Sequence, residues 1–332
     1  MISRRRFTQA IAASLAAPSL AGCSSTPARP ASGANASLGP IKQIDAGRLS
    51  VGYAEFGPAD GPVVLLVHGW PYDPGSFIDV GPALAAAGYR VISPYLAGYG
   101  PTVFLSKDAV RNAQQSAVAL DIVALMDALR IDSAILAGFD WGARTVDVVA
   151  ALWPERCTAL VSVSGYLITN LQANLKPLPP AAEYGWWYQY YFATERGVIG
   201  YRENRHDFNR LIWKAASPTW NFDDATYART AASFDNPDHV DIVVHNYRWR
   251  LSLAPGEPRY DAFEQKLATG PQIAVPTITV ASDFDGPNVD GKAYRDKFTG
   301  RYEHRILEGI GHNVPQEAPE AFAQAVIDAA HL

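Results

Sequence analysis

The chain reads as an α/β protein, a mostly parallel central sheet flanked by helices, with a helical cap inserted between sheet strands. Three observations carry that reading. Short apolar runs alternate with helical patterns from residue 40 onward, as a parallel sheet covered on both faces requires. The alternation stops between about Tyr166 and Gly270 and resumes at Pro276–Ala281. One junction, Gly138-Phe139-Asp140-Trp141-Gly142, places glycines on both sides of a polar residue between an apolar run and a helical pattern, which marks a sharp strand-to-helix turn.

The elements follow in order. Leu49–Phe56 is an early strand, and Val63–His68 is short and wholly apolar, as a doubly covered strand should be. Ile78–Ala87 is a helix with Gly88 just past its end. Arg90–Tyr95 is the next strand. Asn112–Leu129 is a long helix with Ala117, Leu120, Ile122, Val123, Leu125, Met126 and Leu129 at helical spacing. Ser133–Gly138 is a strand, Ala143–Trp153 the helix after the turn, and Ala159–Ser164 another strand. The interruption is rich in aromatic residues and mostly helical, and it is broken by proline and asparagine clusters near residues 177–180 and 234–237. Pro276–Ala281 and His304–Leu307 complete the sheet, and Pro319–His331 is the last helix. The expected division is a core over 40–168 and 270–332 with a cap over 169–269.

Composition narrows the function. The chain has 332 residues, 48% hydrophobic and 11% aromatic, ample for a large core. Net charge is −5 and no basic run follows residue 6, which argues against nucleic acid as a partner. Two cysteines, Cys23 and Cys157, cannot make a disulfide framework. No C-x-x-C or H-E-x-x-H cluster is present, so neither metal nor cofactor is expected. Cys157 reads as a small core or helix-end residue.

The first 39 residues stand apart. Ser3-Arg4-Arg5-Arg6-Phe7 is basic, Thr8 to Ala21 is alanine-rich and weakly apolar, and Leu20-Ala21-Gly22-Cys23 follows. This resembles a twin-arginine export signal over 1–23 ending in a lipoprotein box. The resemblance implies cleavage before Cys23, a lipid on its sulfur, and a protein exported to the periplasmic side and held at a membrane. Residues 24–39 are rich in Ser, Pro, Ala and Gly and read as a flexible tether.

Four pieces fit one chemistry. Asp140 sits at the tip of the turn, where its side chain is held out over the sheet edge. A carboxylate there attacks a carbon centre and becomes an ester that water must open. His68-Gly69-Trp70-Pro71 follows the Val63–Val67 run, so backbone N–H groups of Trp70 and Trp141 can hold negative charge on that ester. His312, in Gly309-Ile310-Gly311-His312-Asn313, falls after the last strand and can act as general base. The acid that orients it is Asp285 or Asp283, which both follow the Thr277–Val280 run and which spacing does not separate.

These pieces together resemble the α/β-hydrolase superfamily and, within it, the epoxide hydrolases. The resemblance runs from about residue 45 to the C-terminus. It implies that the acid falls nine residues after Pro276, at Asp285, although Ser282 stands where the family often has glycine and leaves Asp283 open. It also implies two cap tyrosines that hold the opening epoxide oxygen. Tyr188, in Tyr188-Gln189-Tyr190-Tyr191-Phe192, and Tyr247, before Arg248, match those positions, with Tyr190 or Tyr191 as substitutes for Tyr188. His68, Pro71, Trp187 and Tyr191 are expected to line the substrate pocket. The implied substrate is a small apolar epoxide.

Two rivals differ in the leaving group or in chemistry altogether. A dehalogenase of halogenated substrates uses the same aspartate ester and binds halide with tryptophan N–H groups. Arg144, one helical turn beyond Asp140, lies where enzymes resembling fluoroacetate dehalogenase bind a carboxylate. This chain has Trp141 where those enzymes carry a second arginine, and Arg144 reads as structural. The other rival is a non-catalytic, lipid-anchored binding protein on the same scaffold. Its mark is loss of a catalytic member, and here all are present.

Overall fold

The computed structural model describes residues 37–332. Cys23, the leader expected over 1–23 and most of the tether lie outside the described residues. The strands are β1 (Lys42–Ala46), β2 (Leu49–Phe56), β3 (Val63–Val67), β4 (Arg90–Pro94), β5 (Val103–Phe104), β6 (Ala134–Gly138), β7 (Cys157–Val163), β8 (Thr277–Ser282) and β9 (Tyr302–Leu307). The helices are α1 (Val80–Ala86), α2 (Gln115–Ala128), α3 (Trp141–Leu152), α4 (Pro180–Gly185), α5 (Trp187–Ala193), α6 (Glu195–Ala216), α7 (Asp224–Ala231), α8 (His239–Arg250), α9 (Asp261–Ala268), α10 (Val314–Glu317) and α11 (Pro319–Ala329).

The strands form one sheet in the order β1-β2-β4-β3-β6-β7-β8-β9, with β5 beside β2. Pairings that involve β2 are antiparallel, and those from β4 through β9 are parallel. The parallel strands are apolar because both faces are covered: β6 is buried throughout and β3 in all but its first residue. β1 and β5 were not anticipated. β1 is an edge strand with mostly exposed polar side chains, and β5 has two residues, so neither leaves an apolar signature.

Strand order reverses at β3. Its neighbours are β4, next in sequence, and β6, which follows the β4–α2 excursion. At such a switch point two loops leave the same sheet edge in opposite directions and open a crevice between them. Val67 pairs with Gly138, so the loop after β3 and the turn after β6 emerge side by side. The carboxyl ends of β8 and β9 open at the same edge.

The helical insertion, α4 to α9, runs between β7 and β8 and is tied to the core by buried hydrogen bonds. Asp73, in the loop after β3, accepts from Thr230 Oγ1 at 2.9 Å and from Ser233 Oγ at 2.5 Å. Asn236 donates to the carbonyls of Gly100 and Thr102, and Asn246 to that of Ala113. Where the chain leaves β7 for the cap, α3 grips it from below. Arg144 Nε donates to Leu167 O at 3.1 Å and Asp147 Oδ2 accepts from Leu167 N at 2.8 Å. Arg144 thus has a structural partner, as expected.

Asp147 is completely buried, and burial pushes its carboxyl up to about 8 against the opposing Leu167 N–H. A folded-state pKa raised above the unfolded one, near 4, gives stability that is full below that value and is lost as pH rises through about 8. Asp147→Asn keeps a neutral side chain of the same shape and escapes that loss. Thermal melts should show the variant gaining on the wild type between pH 5 and pH 8, by on the order of a few kcal/mol, and no further above it. A gap that does not change with pH would show that Asp147 is charged in the fold.

Candidate active site

Asp140 has φ 55° and ψ −124°, a strained conformation for a residue with a Cβ, and it immediately precedes α3. The strain lifts its side chain off the end of β6. Gly142 permits the tight turn: a Cβ there would lie 1.8 Å from Val67 O. Gly69 permits the approach of the neighbouring loop, since a Cβ there would lie 2.2 Å from Asp140 Oδ1. With that space open, Trp70 N–H donates to Asp140 Oδ1 at 2.7 Å. Trp141 is the first helical residue, so its N–H has no acceptor within the helix.

The other carboxylate oxygen, Oδ2, is 3.2 Å from His312 Nε2. The two side chains are 14% and 8% exposed. Burial opposes charge on Asp140, but the hydrogen bond and charge of His312 and the Trp70 N–H outweigh it and hold the carboxyl below the usual carboxylate range. The His312 loop is built to stay in place. Glu317 accepts from Gly311 N and Asn313 N, and Ser217 Oγ accepts from His312 N at 2.9 Å while donating to Glu317.

Neither expected acid reaches His312. Residues 283–288 form a short 3₁₀ turn in which Asp285 Oδ2 accepts from Ser282 N at 2.8 Å as half of a capping box. Asp283 Oδ2 accepts from Gly309 N at 3.0 Å. Phe284, between them, packs on the imidazole with ring centroids 4.1 Å apart. His312 Nδ1 is buried with no partner.

The two expected cap tyrosines lie over the loop after β3. Tyr188, on α5, and Tyr247, on α8, have ring centroids 5.0 and 5.1 Å from that of Trp70 and 5.3 Å from each other. Both are buried, at 8% and 1% exposure. Burial raises both phenols well above their ordinary value. The Asp140 charge adds to this for each, after that of Tyr188 in the case of Tyr247. They therefore stand as proton-bearing donors. Trp141 Nε1 donates to the Tyr247 oxygen at 3.4 Å, which leaves the Tyr247 proton for another acceptor. Of the substitutes, Tyr190 points to solvent and bonds Glu183.

The expected pocket lining is placed differently. His68 is completely buried, its Nε2 accepting from Leu96 N at 3.1 Å and its Nδ1 2.9 Å from Gly69 O. It pins the loop from behind rather than facing a substrate, and burial lowers its pKa to about 4. Pro71 O accepts from Trp213 Nε1 at 2.8 Å, which ties the same loop to the cap. Trp187 and Tyr191 lie one turn apart on α5 and pack on Phe208 of α6, with centroids at 5.3 and 5.5 Å. They build the cap one layer behind Trp70. Cys157 is buried and free, its thiol pushed up to about 12 by burial, and is inert. Among the described residues no group of three or more His, Cys, Asp or Glu side chains is placed to hold a metal ion.

A strained aspartate after β6, a histidine after β9 and an insertion between β7 and β8 form a family arrangement, and comparison with known proteins bears on it directly. A family model of the alpha/beta hydrolase fold matches residues 62–198. A crystal structure from Klebsiella pneumoniae, of a protein provisionally assigned as an epoxide hydrolase, is 59% identical, covers 91% of this chain and 100% of its own, and superposes with a TM-score of 0.87. The chain belongs to the α/β-hydrolase fold family. Among curated relatives, Epoxide hydrolase B of Mycobacterium tuberculosis is 35% identical over 152 residues, 42% of each chain. A Haloalkane dehalogenase of Mycobacterium marinum is 33% identical over 133 residues, 39% of this chain and 43% of its own. The matches to these two hydrolases thus span about two fifths of each relative's length.

Proposed function

We propose that this α/β-hydrolase opens an epoxide to a vicinal diol through an ester on Asp140. Asp140 Oδ1 is held by the Trp70 N–H, and Oδ2 attacks an epoxide carbon. As that carbon–oxygen bond breaks, Tyr188 and Tyr247 hold the leaving oxygen and supply its proton. His312 then takes a proton from water, and the hydroxide adds to the ester carbonyl while the Trp70 and Trp141 N–H groups stabilise the oxyanion. Collapse expels the alkoxide, which takes the proton from His312. The remaining proton of the water returns to the tyrosines, and epoxide plus water has become diol. Asp285 turns from Ser282 N–H to His312 Nδ1 to orient the base.

One observation carries the choice of epoxide over halide. Halide must be held by N–H donors, and both indoles beside the nucleophile are already committed. Trp70 Nε1 donates to Tyr201 OH at 2.9 Å and Trp141 Nε1 to Tyr247 OH. What faces the site is phenolic O–H, which suits an oxygen leaving group that must gain a proton.

Single turnover of styrene oxide in oxygen-18 water should put one label into Asp140, read by mass spectrometry of its peptide. Label in the diol alone would eliminate the ester. Halide release from haloalkanes without diol formation from epoxides would move the chain to the dehalogenases. Among acid variants, Asp285→Asn should slow hydrolysis of the ester by about 100-fold or more, in the range of losing one preorganised catalytic group, and let it accumulate. If Asp283→Asn does this instead, the acid is Asp283.

We further propose that the mature chain begins at a lipidated Cys23 on the periplasmic side of a membrane, on the strength of the Arg4-Arg5 and Leu20–Cys23 motifs. Cys23→Ala should shift the chain from the membrane fraction to the soluble fraction. A wild-type chain that is already soluble would refute the anchor.

A further inference from the structure

The Trp70 indole is held by a buried hydrogen-bond chain whose direction is set by one carbonyl. Gly98 O, on the core, lies 2.9 Å from His239 Nδ1. A carbonyl can only accept, so Nδ1 carries the proton and Nε2 of the neutral ring must accept. The group 2.9 Å from that Nε2 is Tyr201 OH. The tyrosine therefore spends its single proton on His239 and presents its lone pairs to other donors. One is Trp70 Nε1 at 2.9 Å. Asn209 Oδ1 stands 3.1 Å from the same oxygen while its Nδ2 has no partner, and exchanging the amide's O and N makes Nδ2 the other donor.

Every member is sealed from water. Tyr201, Asn209 and His239 show no exposed surface and Trp70 only 2%. Tyr201 and Asn209 come from α6 and His239 from the start of α8, so the cap supplies three members and the core supplies Gly98 and Trp70. His239 keeps its polarity across the working range because burial lowers its pKa to about 3. The relay ends on the residue whose backbone N–H, 2.7 Å from Asp140 Oδ1, is the oxyanion donor. An indole fixed at its nitrogen leaves the Trp70 backbone little room to turn.

We propose that Tyr201 is a positioning residue: with His239 and Asn209 it fixes the Trp70 indole and thereby holds the Trp70 N–H on the oxyanion of the Asp140 ester. The inference rests on the ester chemistry proposed above. It makes correct seating of α6 and α8 a condition for hydrolysis of the ester, a step whose base and oxyanion donors all lie on the core.

Tyr201→Phe keeps the ring that packs on Phe192 and Phe208 and removes only the hydroxyl. In rapid-mixing experiments with styrene oxide, ester hydrolysis should slow tenfold or more while ester formation changes less than threefold, so that alkylated enzyme accumulates. The indole resonance of Trp70 in ¹⁵N-tryptophan-labelled protein, assigned with Trp70→Phe, should lose protection from hydrogen exchange in Tyr201→Phe. His239→Gln, which keeps an acceptor, should restore ester hydrolysis relative to His239→Leu. Equal slowing of both steps, or an unchanged Trp70 exchange rate, overturns the proposal. The exchange measurement needs no substrate. If no epoxide alkylates the wild type, the epoxide reading fails while the relay is still judged by exchange.

Discussion

The site is organised by the need to keep one carboxylate charged in a buried, aromatic setting. In the proposed chemistry Asp140 must be ionised to attack carbon, yet burial favours the neutral acid. Two contacts outweigh the burial, His312 on one oxygen and the Trp70 N–H on the other. Both depend on backbone placement. The first needs β9 to end beside β6 across two intervening strands, and the second needs β3 and β6 to be neighbours. The glycines follow from the same demand, since only a residue without a Cβ lets the β3 loop come within reach of Oδ1. The topological switch at β3 thus places the donor that helps keep Asp140 ionised and that, in the proposed mechanism, later stabilises its ester.

What could be read in advance was what local pattern controls. The parallel strands announce themselves by unbroken apolar runs, and Asp140 and His312 by glycine-flanked positions at strand ends. The cap tyrosines were legible through resemblance. Long-range partners were not. Tyr201 lies 131 positions from Trp70 and 38 from His239, and nothing in the spacing of either pair marks a contact. His68 stands next to the oxyanion loop in sequence but its ring turns inward to Leu96 N, because its neighbour Gly69, not the histidine, faces Asp140. Trp187 is one 100° step along α5 from Tyr188 and packs on Phe208, and Tyr191, one turn beyond Trp187, stacks on the same ring. The loop after β8 resisted prediction for another reason. Its two aspartates both satisfy local backbone N–H groups, and local capping competes with any distant partner.

The cap works as a fixed wall. Its connections to the core are buried and polar: Asp73 with Thr230 and Ser233, Asn236 with two carbonyls, Trp213 with Pro71 O, Ser217 with the His312 loop. Buried polar groups that lose partners cost far more than exposed ones, so opening the cap as a unit would orphan many of them at once. The aromatic side chains add geometry. Trp70 packs against Tyr188, Phe192, Tyr201 and Tyr247, so the ring beside the oxyanion donor is also the floor on which both phenols rest. The donors proposed for ester hydrolysis and for ring opening are thereby registered against a single side chain.

In the proposed mechanism His312 connects the two steps through its tautomer. A carboxylate only accepts, so in the free enzyme the proton between Asp140 Oδ2 and His312 belongs to Nε2. The structure shows His312 Nδ1 without a partner and Asp285 satisfied by Ser282 N–H. Esterification changes the demand. Once Asp140 has lost its charge, Nε2 must be bare to accept a proton from water, and Nδ1 must carry a proton that a carboxylate can hold. Asp285 is three residues beyond the strand end and needs only to exchange one backbone N–H for the imidazole N–H, with Phe284 moving off the ring. In the proposed mechanism the ester itself supplies the reason for Asp285 to turn from Ser282 N–H to Nδ1.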